Sequence, residues 1–346
     1  MNQLGEVTAR HRFDPSRLAA YLEQHLPDFR GPIEVKQFQG GQSNPTYLLT
    51  TADKRYVMRS KPGPSAKLLP SAHAIEREFR VMTALATHGV PVPRTYLLVE
   101  DESVIGRAFF LMDHVEGRIF WEQSLPGISP QERTSIYHEM NRVIALLHSV
   151  DIELAGLQDF GKTGNYFERQ ISRWSKQYRA SETTSIDAMN RLIDWLPQHI
   201  PPGDETTVVH GDYRMDNLIF DAREPRIIAV LDWELSTLGH PLADLSYHCM
   251  SWHIPPSGFR GIAGLDHKAL GIPTEAEYIE RYVQRTGRAI DNWNFYLAYN
   301  LFRIAAILQG VYKRSTEGIA SSDNAAQSGK NAKALAELGW KYAQRA

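Results

Sequence analysis

The chain contains 346 residues with a formal net charge of −2, and 42% of its residues are hydrophobic while 23% are charged. This length exceeds the size at which a single hydrophobic core usually divides, so we expect two lobes. The balanced charge lacks the basic footprint of a nucleic-acid-binding protein, and the single cysteine, Cys249, excludes an intrachain disulfide.

The N-terminal residues and the apolar runs indicate in which cellular compartment the protein is expected. Residues 1–12 are polar and lack the apolar core of a signal peptide. The most apolar long run, residues 295–312, is interrupted by Asn300, Arg303 and Gln309, which indicates a buried helix and not a membrane span. With one cysteine the chain suits a reducing interior, and we expect a cytoplasmic protein without membrane insertion.

Residues 14–112 have the pattern of a small sheet with two helices. The first helix begins after Asp14, has Pro15 in its first turn and ends at Pro27. Helical periodicity returns over residues 74–88, and a glycine-containing turn at residues 39–45 separates the first two extended runs. The extended runs lie at residues 33–38, 46–50, 55–59, 95–99 and 107–112.

Beyond residue 113 the periodicity becomes mainly helical. Helices are expected around residues 136–147, 166–178, 241–247, 275–284, 293–311 and 324–342. We therefore predict an N-terminal lobe with a leading helix over residues 1–113 and a C-terminal lobe over residues 114–346.

The strongest chemical signal lies in two short β-branched runs that end in polar side chains. Val208 and Val209 predict a buried strand that is broken by His210-Gly211-Asp212, and an apolar run resumes after Asn217. A second buried strand over residues 227–231 delivers Asp232 at its carboxyl end. One candidate base and two candidate metal ligands are thus carried by neighbouring strand ends.

The order His-x-Asp, four residues, Asn and then a later Asp is the spacing of the protein-kinase catalytic centre. A carboxylate at Asp212 can orient and deprotonate a hydroxyl, while oxygen ligands from Asn217 and Asp232 can hold Mg²⁺ against a triphosphate. Taken singly, these residues also fit a polar turn, a cap and a strand-end acid. Their order, with buried-strand patterns on both sides, favours the catalytic interpretation.

These motifs resemble the aminoglycoside phosphotransferase and choline kinase superfamily, with His-Gly-Asp in place of His-Arg-Asp and Leu-Asp-Trp-Glu in place of Asp-Phe-Gly. Residues 166–174 and 231–245 are closer still to the kinase-like domain fused to some acyl-CoA dehydrogenases, and the similarity extends over nearly the whole chain from about Val35. The resemblance implies an α+β, protein-kinase-like two-lobed fold, with an N-terminal antiparallel sheet lobe that binds nucleotide. A larger, mainly α-helical C-terminal lobe would carry catalysis and acceptor binding, with ATP and Mg²⁺ as cofactors.

The resemblance also implies the nucleotide contacts. Arg59 stands where kinases carry the lysine that binds the α and β phosphates, and Glu78, with Glu76 as the alternative, matches the acid that pairs with it. The glycine turn would cover the phosphates, and the backbone of the hinge would meet the adenine edge. The implied residues are Gly40, Gly41, Ser43, Asn44, Arg59, Glu78, Met112, Asp113, His114 and Val115. A plain hairpin turn, an exposed strand-end arginine and a solvated acid are the structural alternatives.

The acceptor is left open by the sequence. The fused relatives suggest a hydroxyacyl-CoA or a hydroxy acid, the wider superfamily allows aminoglycosides or amino alcohols, and a catalytically silent nucleotide-binding regulatory module is a further alternative. A basic stripe of Arg169, Arg173 and Lys176 fits either a solvated helix face or contact with a phosphorylated carrier such as coenzyme A. Asp244 is expected to bond backbone amides near the catalytic loop.

Overall fold

A computed structural model describes residues 4–39, 44–63, 74–317 and 325–346. The predicted phosphate-loop residues Gly40, Gly41 and Ser43 lie outside the described residues. The chain forms two compact units. We call the first, residues 1–118, 155–160 and 218–236, the sheet unit. The second, residues 119–154, 161–217 and 237–346, is the helical unit. The predicted division into two lobes that are each continuous in sequence, with the boundary after residue 113, stays a prediction.

The predicted strands and helices occur in the predicted order, whereas the elements at Leu4–Gly5, Asp187–Trp195, Thr237–Gly239 and His267–Leu270 were not predicted. In the described residues the strands are β1 (Leu4–Gly5), β2 (Glu34–Phe38), β3 (Thr46–Thr50), β4 (Arg55–Ser60), β5 (Thr95–Val99), β6 (Phe109–Asp113), β7 (Thr207–Val209), β8 (Leu218–Phe220), β9 (Ile227–Val230) and β10 (Thr237–Gly239). The α-helices there are α1 (Pro15–His25), α2 (Ile75–Ala86), α3 (Pro130–His148), α4 (Tyr166–Ser181), α5 (Asp187–Trp195), α6 (Pro241–Cys249), α7 (His267–Leu270), α8 (Glu275–Thr286), α9 (Trp293–Thr316) and α10 (Ala325–Ala343).

An antiparallel sheet organises the sheet unit. Within the described residues it has six strands in the order β1-β2-β3-β4-β6-β5. In β4 the buried residues Tyr56, Val57 and Met58 precede Arg59, which pairs with Thr46 of β3 on one side and with Phe110 of β6 on the other. Because β4 is paired on both sides, the register of the sheet fixes the position of the Arg59 backbone.

The leading helix α1 belongs to the core of the sheet unit. Asp14 caps it by accepting from the backbone N–H of Ser16, and Pro15 occupies the first turn. Leu18 and Leu22 are fully buried in one cluster with the sheet side chains. The expected packing of this helix on the smaller lobe is confirmed.

A short hairpin of β8 and β9 completes the sheet unit and positions the segment that follows it. Leu218 pairs with Val230, whose N–H donates to the carbonyl of Pro91 at 2.8 Å. Gly117 lies against this hairpin, and a Cβ added there would come within 2.2 Å of the Phe220 carbonyl oxygen. The carboxyl end of β9 is therefore anchored, and Asp232 follows it by two residues.

Helix α9 is the central element of the helical unit. Its side chains are buried on most of its circumference, and the amide of Asn300 donates to the Ala243 carbonyl at 2.8 Å and to Ser246 Oγ at 2.7 Å on α6. The buried-helix interpretation of this apolar run is confirmed. Among the described residues, no helix combines the length and apolarity needed to cross a membrane.

Candidate active site

Arg59 is the centre of an ion-pair cluster in the sheet unit. Its Nε lies 3.0 Å from Glu78 Oε2, and its Nη2 lies 3.2 Å from Asp232 Oδ1 and 3.0 Å from Glu234 Oε2. Glu78 stands in the first turn of α2, and its Oε1 accepts from Asn44 Nδ2 at 3.0 Å. The structure thus brings together four sequence-predicted residues, Asn44, Arg59, Glu78 and Asp232.

Three carboxylates share one guanidinium in this Arg59 cluster, so the cluster carries excess negative charge when all of them are ionised. Burial disfavours the charged guanidinium, but Glu78, Asp232 and Glu234 outweigh it and raise the pKa of Arg59. Glu78 is only 2% exposed. Burial, with the nearby charges of Asp232 and Glu234, raises its pKa to about 7 despite the opposing effect of Arg59. Burial of Glu78 therefore favours its protonated form.

Asp232 has an unusual backbone. Its φ of 67° and ψ of 59° are left-handed, and it begins a 3-10 turn over Trp233–Leu235. Trp233 is buried, and its Nε1 donates to the Val230 carbonyl at 2.9 Å, which locks the turn. Strain of this kind persists where the surroundings impose it and is common at functional sites. The turn also delivers Glu234 to Arg59.

The hinge residues follow the last ladder pair of the sheet. Met112 and Asp113 end β6, with Asp113 paired to Tyr56, and His114 and Val115 continue outside any strand. The Asp113 carboxylate is held by Lys54 Nζ at 3.1 Å. The backbone of His114 and Val115 thus leaves the ladder immediately after the end of β6, and its contact with adenine stays a prediction.

In the helical unit, Asp244 holds the backbone of residues 210–217, the predicted catalytic segment. Its Oδ2 accepts from the N–H of His210 at 2.6 Å, and its Oδ1 accepts from the N–H of Gly211 at 2.8 Å. His148 Nε2 lies 3.3 Å from Oδ2. Burial opposes ionisation, but these hydrogen bonds and the nearby histidines outweigh it, and the pKa of Asp244 is lowered. The structural role that was predicted for Asp244 is confirmed.

The Asp212 side chain is fixed at both oxygens. Tyr247 donates its hydroxyl hydrogen to Oδ1, Asn217 Nδ2 donates to Oδ2 at 3.0 Å, and Arg214 Nε lies 3.0 Å from Oδ2. Asn217 Nδ2 also donates to the Asp212 carbonyl at 3.0 Å. Because the amide nitrogen faces Asp212, the Asn217 oxygen points away from it and can serve as a ligand.

Arg303 supports the same segment from α9. Its Nη2 donates to the Gly211 carbonyl at 2.6 Å, and its guanidinium lies 5.7 Å from the Trp174 ring and 5.3 Å from the Tyr247 ring. Asp244 and Arg303 therefore hold the N–H and the C=O of one residue, Gly211, whose φ of 81° lies in the glycine-favoured region. These hydrogen bonds fix the orientation of the Gly211 peptide groups.

Sequence reasoning missed three of these residues. Glu234 stands in the quoted Leu-Asp-Trp-Glu motif, two positions after Asp232, and Arg214 lies inside the segment that carries Asp212. Tyr247 lies three residues after Asp244 on α6, and this spacing places the two side chains on one helix face. Their closeness in sequence to Asp232, Asp212 and Asp244 was the signal from which a further acid, a cation and a hydroxyl donor could have been predicted near the site.

The sequence model of the phosphotransferase enzyme family matches residues 34–296. The chain belongs to this family.

Relatives of known sequence carry the same phosphotransferase region within longer proteins. Acyl-CoA dehydrogenase family member 10 of Mus musculus is 54% identical over 318 residues, which cover 91% of this chain and 30% of that protein. Acyl-CoA dehydrogenase family member 11 of Rattus norvegicus is 44% identical over 98% of this chain and 44% of its own length. The chain therefore spans less than half of these two relatives.

Solved structures of phosphotransferases share the fold. A Ralstonia eutropha JMP134 protein, described as a candidate aminoglycoside phosphotransferase, is 61% identical with a TM-score of 0.90 over 96% of this chain and 99% of that one. Spectinomycin phosphotransferase, solved with ADP and spectinomycin, has a TM-score of 0.62 at 14% identity over 96% of this chain and 99% of its own. The predicted α+β, kinase-like fold is confirmed, with an N-terminal antiparallel sheet and a helical C-terminal region.

For a member of the phosphotransferase enzyme family, the donor set suits a hard cation that is bound mainly by nucleotide. Among the described residues, no three or more His, Cys, Asp or Glu side chains are grouped to hold a metal ion. Mg²⁺ typically takes one or two protein oxygens and completes its shell with phosphates and water. The predicted ligands, the amide oxygen of Asn217 in the helical unit and the carboxylate of Asp232 in the sheet unit, are oxygen donors of this kind, and their joint role stays a prediction.

Proposed function

We propose that the protein is an ATP-dependent phosphotransferase that moves the γ-phosphoryl group of ATP to a hydroxyl group of a small molecule. The fixed Asp212 carboxylate in the His-Gly-Asp segment is the observation that carries this proposal. Phosphoryl transfer depends mainly on positioning and charge stabilisation, and a base held at both oxygens provides positioning.

In the proposed reaction, Asp212 orients the acceptor hydroxyl and takes its proton as the oxygen attacks the γ-phosphorus. The new O–P bond forms while the bond from the γ-phosphorus to the β,γ-bridging oxygen breaks, and ADP leaves. Arg59, oriented by Glu78, contacts the α and β phosphates, and the backbone of residues 112–115 meets the adenine edge. Asn217 and Asp232 would hold Mg²⁺, which neutralises phosphate charge when bound.

The nucleotide is supported by the relatives. Spectinomycin phosphotransferase was solved with ADP, and a related hygromycin enzyme was solved with the ATP analogue AMP-PNP. Transfer of that property to this chain rests on the shared fold and on the Arg59 cluster. A catalytically silent regulatory module would bind ATP without releasing ADP, so turnover separates the two hypotheses.

For the acceptor, we propose a hydroxyacyl-CoA or a hydroxy acid. The longer relatives that contain this region are named acyl-CoA dehydrogenase family members, and we transfer the association with acyl-CoA from those proteins to this chain. An aminoglycoside or amino alcohol carries positive charge and needs unpaired carboxylates, yet the carboxylates of Asp212, Asp216 and Asp244 already contact arginines or backbone amides. Pairing of these acids favours an acceptor that is not cationic.

Replacement of Asp212 by Asn tests the proposal. Loss of a general base is expected to lower kcat for Mg²⁺-dependent ADP release by about 10²–10⁴-fold. The nucleotide-induced rise in Tm should remain, because Asp212 is not assigned to ATP binding. Asp187→Asn, in an exposed acid of α5 whose side chain is 77% exposed, is the matched control.

Two results would contradict the assignment. Wild-type turnover by the Asp212→Asn variant would remove Asp212 as the base. Absence of ADP release by the wild-type protein with hydroxy acids, hydroxyacyl-CoA thioesters, aminoglycosides and amino alcohols alike, together with Mg²⁺-dependent ATP binding, would favour the silent module.

A further inference from the structure

Arg260 of the helical unit has a backbone conformation that its residue type does not favour. Its φ is 56°, in the left-handed region, although glycines stand nearby at positions 258 and 261. Its turn is closely packed, because a Cβ added to Gly261 would come within 1.8 Å of the Ile254 carbonyl oxygen. A glycine at 260 would adopt this conformation without strain, so the arginine side chain must offset a backbone cost.

The Arg260 side chain connects this turn to the catalytic segment. Its Nη1 forms an ion pair with Oδ1 of Asp216, which lies in the 3-10 turn of Met215–Asn217. The same Asp216 oxygen lies 3.6 Å from Arg214 Nε, which is also 3.0 Å from Asp212 Oδ2. Two arginines therefore flank one buried carboxylate, directly beside the proposed base.

The charges and exposures of this group indicate a binding role. The Asp216 side chain is 4% exposed, whereas that of Arg260 is 30% exposed. Asp216 thus anchors the Arg260 guanidinium through one nitrogen. The other N–H groups of this planar guanidinium can donate to a carboxylate or a phosphate, whose oxygens match its geometry. A purely structural link to Asp216 would not require a partly exposed guanidinium.

We infer that Arg260, held by Asp216, recognises an oxyanion on the phosphoryl acceptor and determines the selectivity for anionic acceptors. This inference rests on the proposed function and adds the recognition group. The oxyanion is either the carboxylate of a hydroxy acid or a phosphate of a carrier thioester. Asp216 acts as a positioning residue, because it fixes the guanidinium without touching the acceptor.

Equilibrium titration without ATP tests the inference separately from turnover. The probes are 3-hydroxybutyrate, 3-hydroxybutyryl-CoA and the uncharged 1,3-butanediol, which carry the same hydroxyl. Wild-type protein is expected to bind at least one anionic probe more tightly than the diol, and Arg260→Gln should weaken that binding at least tenfold, since one charge-assisted interaction is lost. The weakened probe identifies whether a carboxylate or a carrier phosphate is recognised.

Three further variants separate recognition from folding. Arg260→Lys keeps the charge without the fork and should give an intermediate affinity. Arg260→Gly should have a higher Tm than Arg260→Gln, because glycine relieves the left-handed strain, yet it should lose the same anion preference. Arg142→Gln, in an exposed α3 arginine paired with Glu139, should leave probe affinity unchanged.

Several results would overturn the inference. Equal binding of the diol and the anionic probes by wild-type protein would do so, whether or not ATP is turned over. Unchanged anion affinity in Arg260→Gln would reduce Arg260 to a structural link, while ADP release that persists in that variant would leave the proposed phosphotransferase function standing.

Discussion

Replacement of Glu78 by Gln addresses the balance of charge in the Arg59 cluster. The substitution keeps the size of the side chain and its ability to accept from Asn44, but it removes the titrating carboxyl. If the ion pair with Arg59 dominated, ionisation of Glu78 would stabilise the protein and its pKa would lie below the ordinary value. Burial and the neighbouring acids instead raise the pKa to about 7, so ionisation should destabilise the folded state.

The size of the effect follows from linkage between protonation and folding. A pKa raised from 4.5 to about 7 means that the folded protein keeps a proton that the unfolded chain has released. The stabilising contribution of Glu78 is therefore complete below pH 4.5 and is lost as pH rises through 7. Between pH 5 and pH 8 the loss is about 2–3 kcal/mol, since one pKa unit corresponds to about 1.4 kcal/mol.

Urea denaturation of the wild type and Glu78→Gln at pH 5 and pH 8 measures this loss. Titrations of groups outside the Arg59 cluster cancel in the difference between the two proteins. The variant is expected to gain about 2–3 kcal/mol of stability relative to the wild type as pH rises from 5 to 8. A pH-independent difference, or a variant that becomes relatively less stable at pH 8, would show that the Arg59 ion pair controls the Glu78 carboxyl and would refute the reasoning.

Two further predictions concern the helical unit. His248 is buried among aromatic rings, and burial lowers its pKa to about 4. The neutral histidine therefore contributes stability that is complete above pH 6.5 and is lost as pH falls toward 4. His248→Phe should reduce that acid-induced loss by about 3 kcal/mol in urea titrations, and an unchanged pH profile would exclude His248 as its source. Joint replacement of Arg169 and Arg173 by Glu should raise KM for a hydroxyacyl-CoA on the order of tenfold more than KM for ATP, if the basic stripe of α4 meets the carrier; unchanged acceptor kinetics would leave it a solvated face.

Local patterns were sufficient to predict most elements of the fold. The run 46–50 coincides with β3, and the helix predicted over residues 74–88 is α2, Ile75–Ala86. The difference at its ends is the usual uncertainty of helix boundaries, because terminal turns fray. The pairing of Arg59 with Glu78 was predicted from the resemblance alone. The two residues are 19 positions apart, on a strand and a helix, and hydrophobic periodicity does not relate them.

The missed contacts depend on features that periodicity does not report. Glu234 meets Arg59 across 175 positions of sequence, a relation that exists only after the strands have assembled. Tyr247 was hidden for another reason, because every residue of α6 is buried. A helix that is buried all round has no polar face to single out a functional side chain.

The two units differ in how they arrange charge, and this difference bears on the proposed division of labour. In the sheet unit three carboxylates surround one arginine, an excess of negative charge that favours a metal-bearing nucleotide over a bare anion. In the catalytic segment of the helical unit, two arginines flank Asp216, and Arg303 adds a third to the Gly211 carbonyl. These arginines are balanced by Asp212, Asp216 and Asp244, so under the proposed function the partly exposed guanidinium of Arg260 would be the group that meets an acidic acceptor. The proposed division therefore assigns the metal-bearing nucleotide to the Arg59 cluster and the acidic group of the acceptor to Arg260.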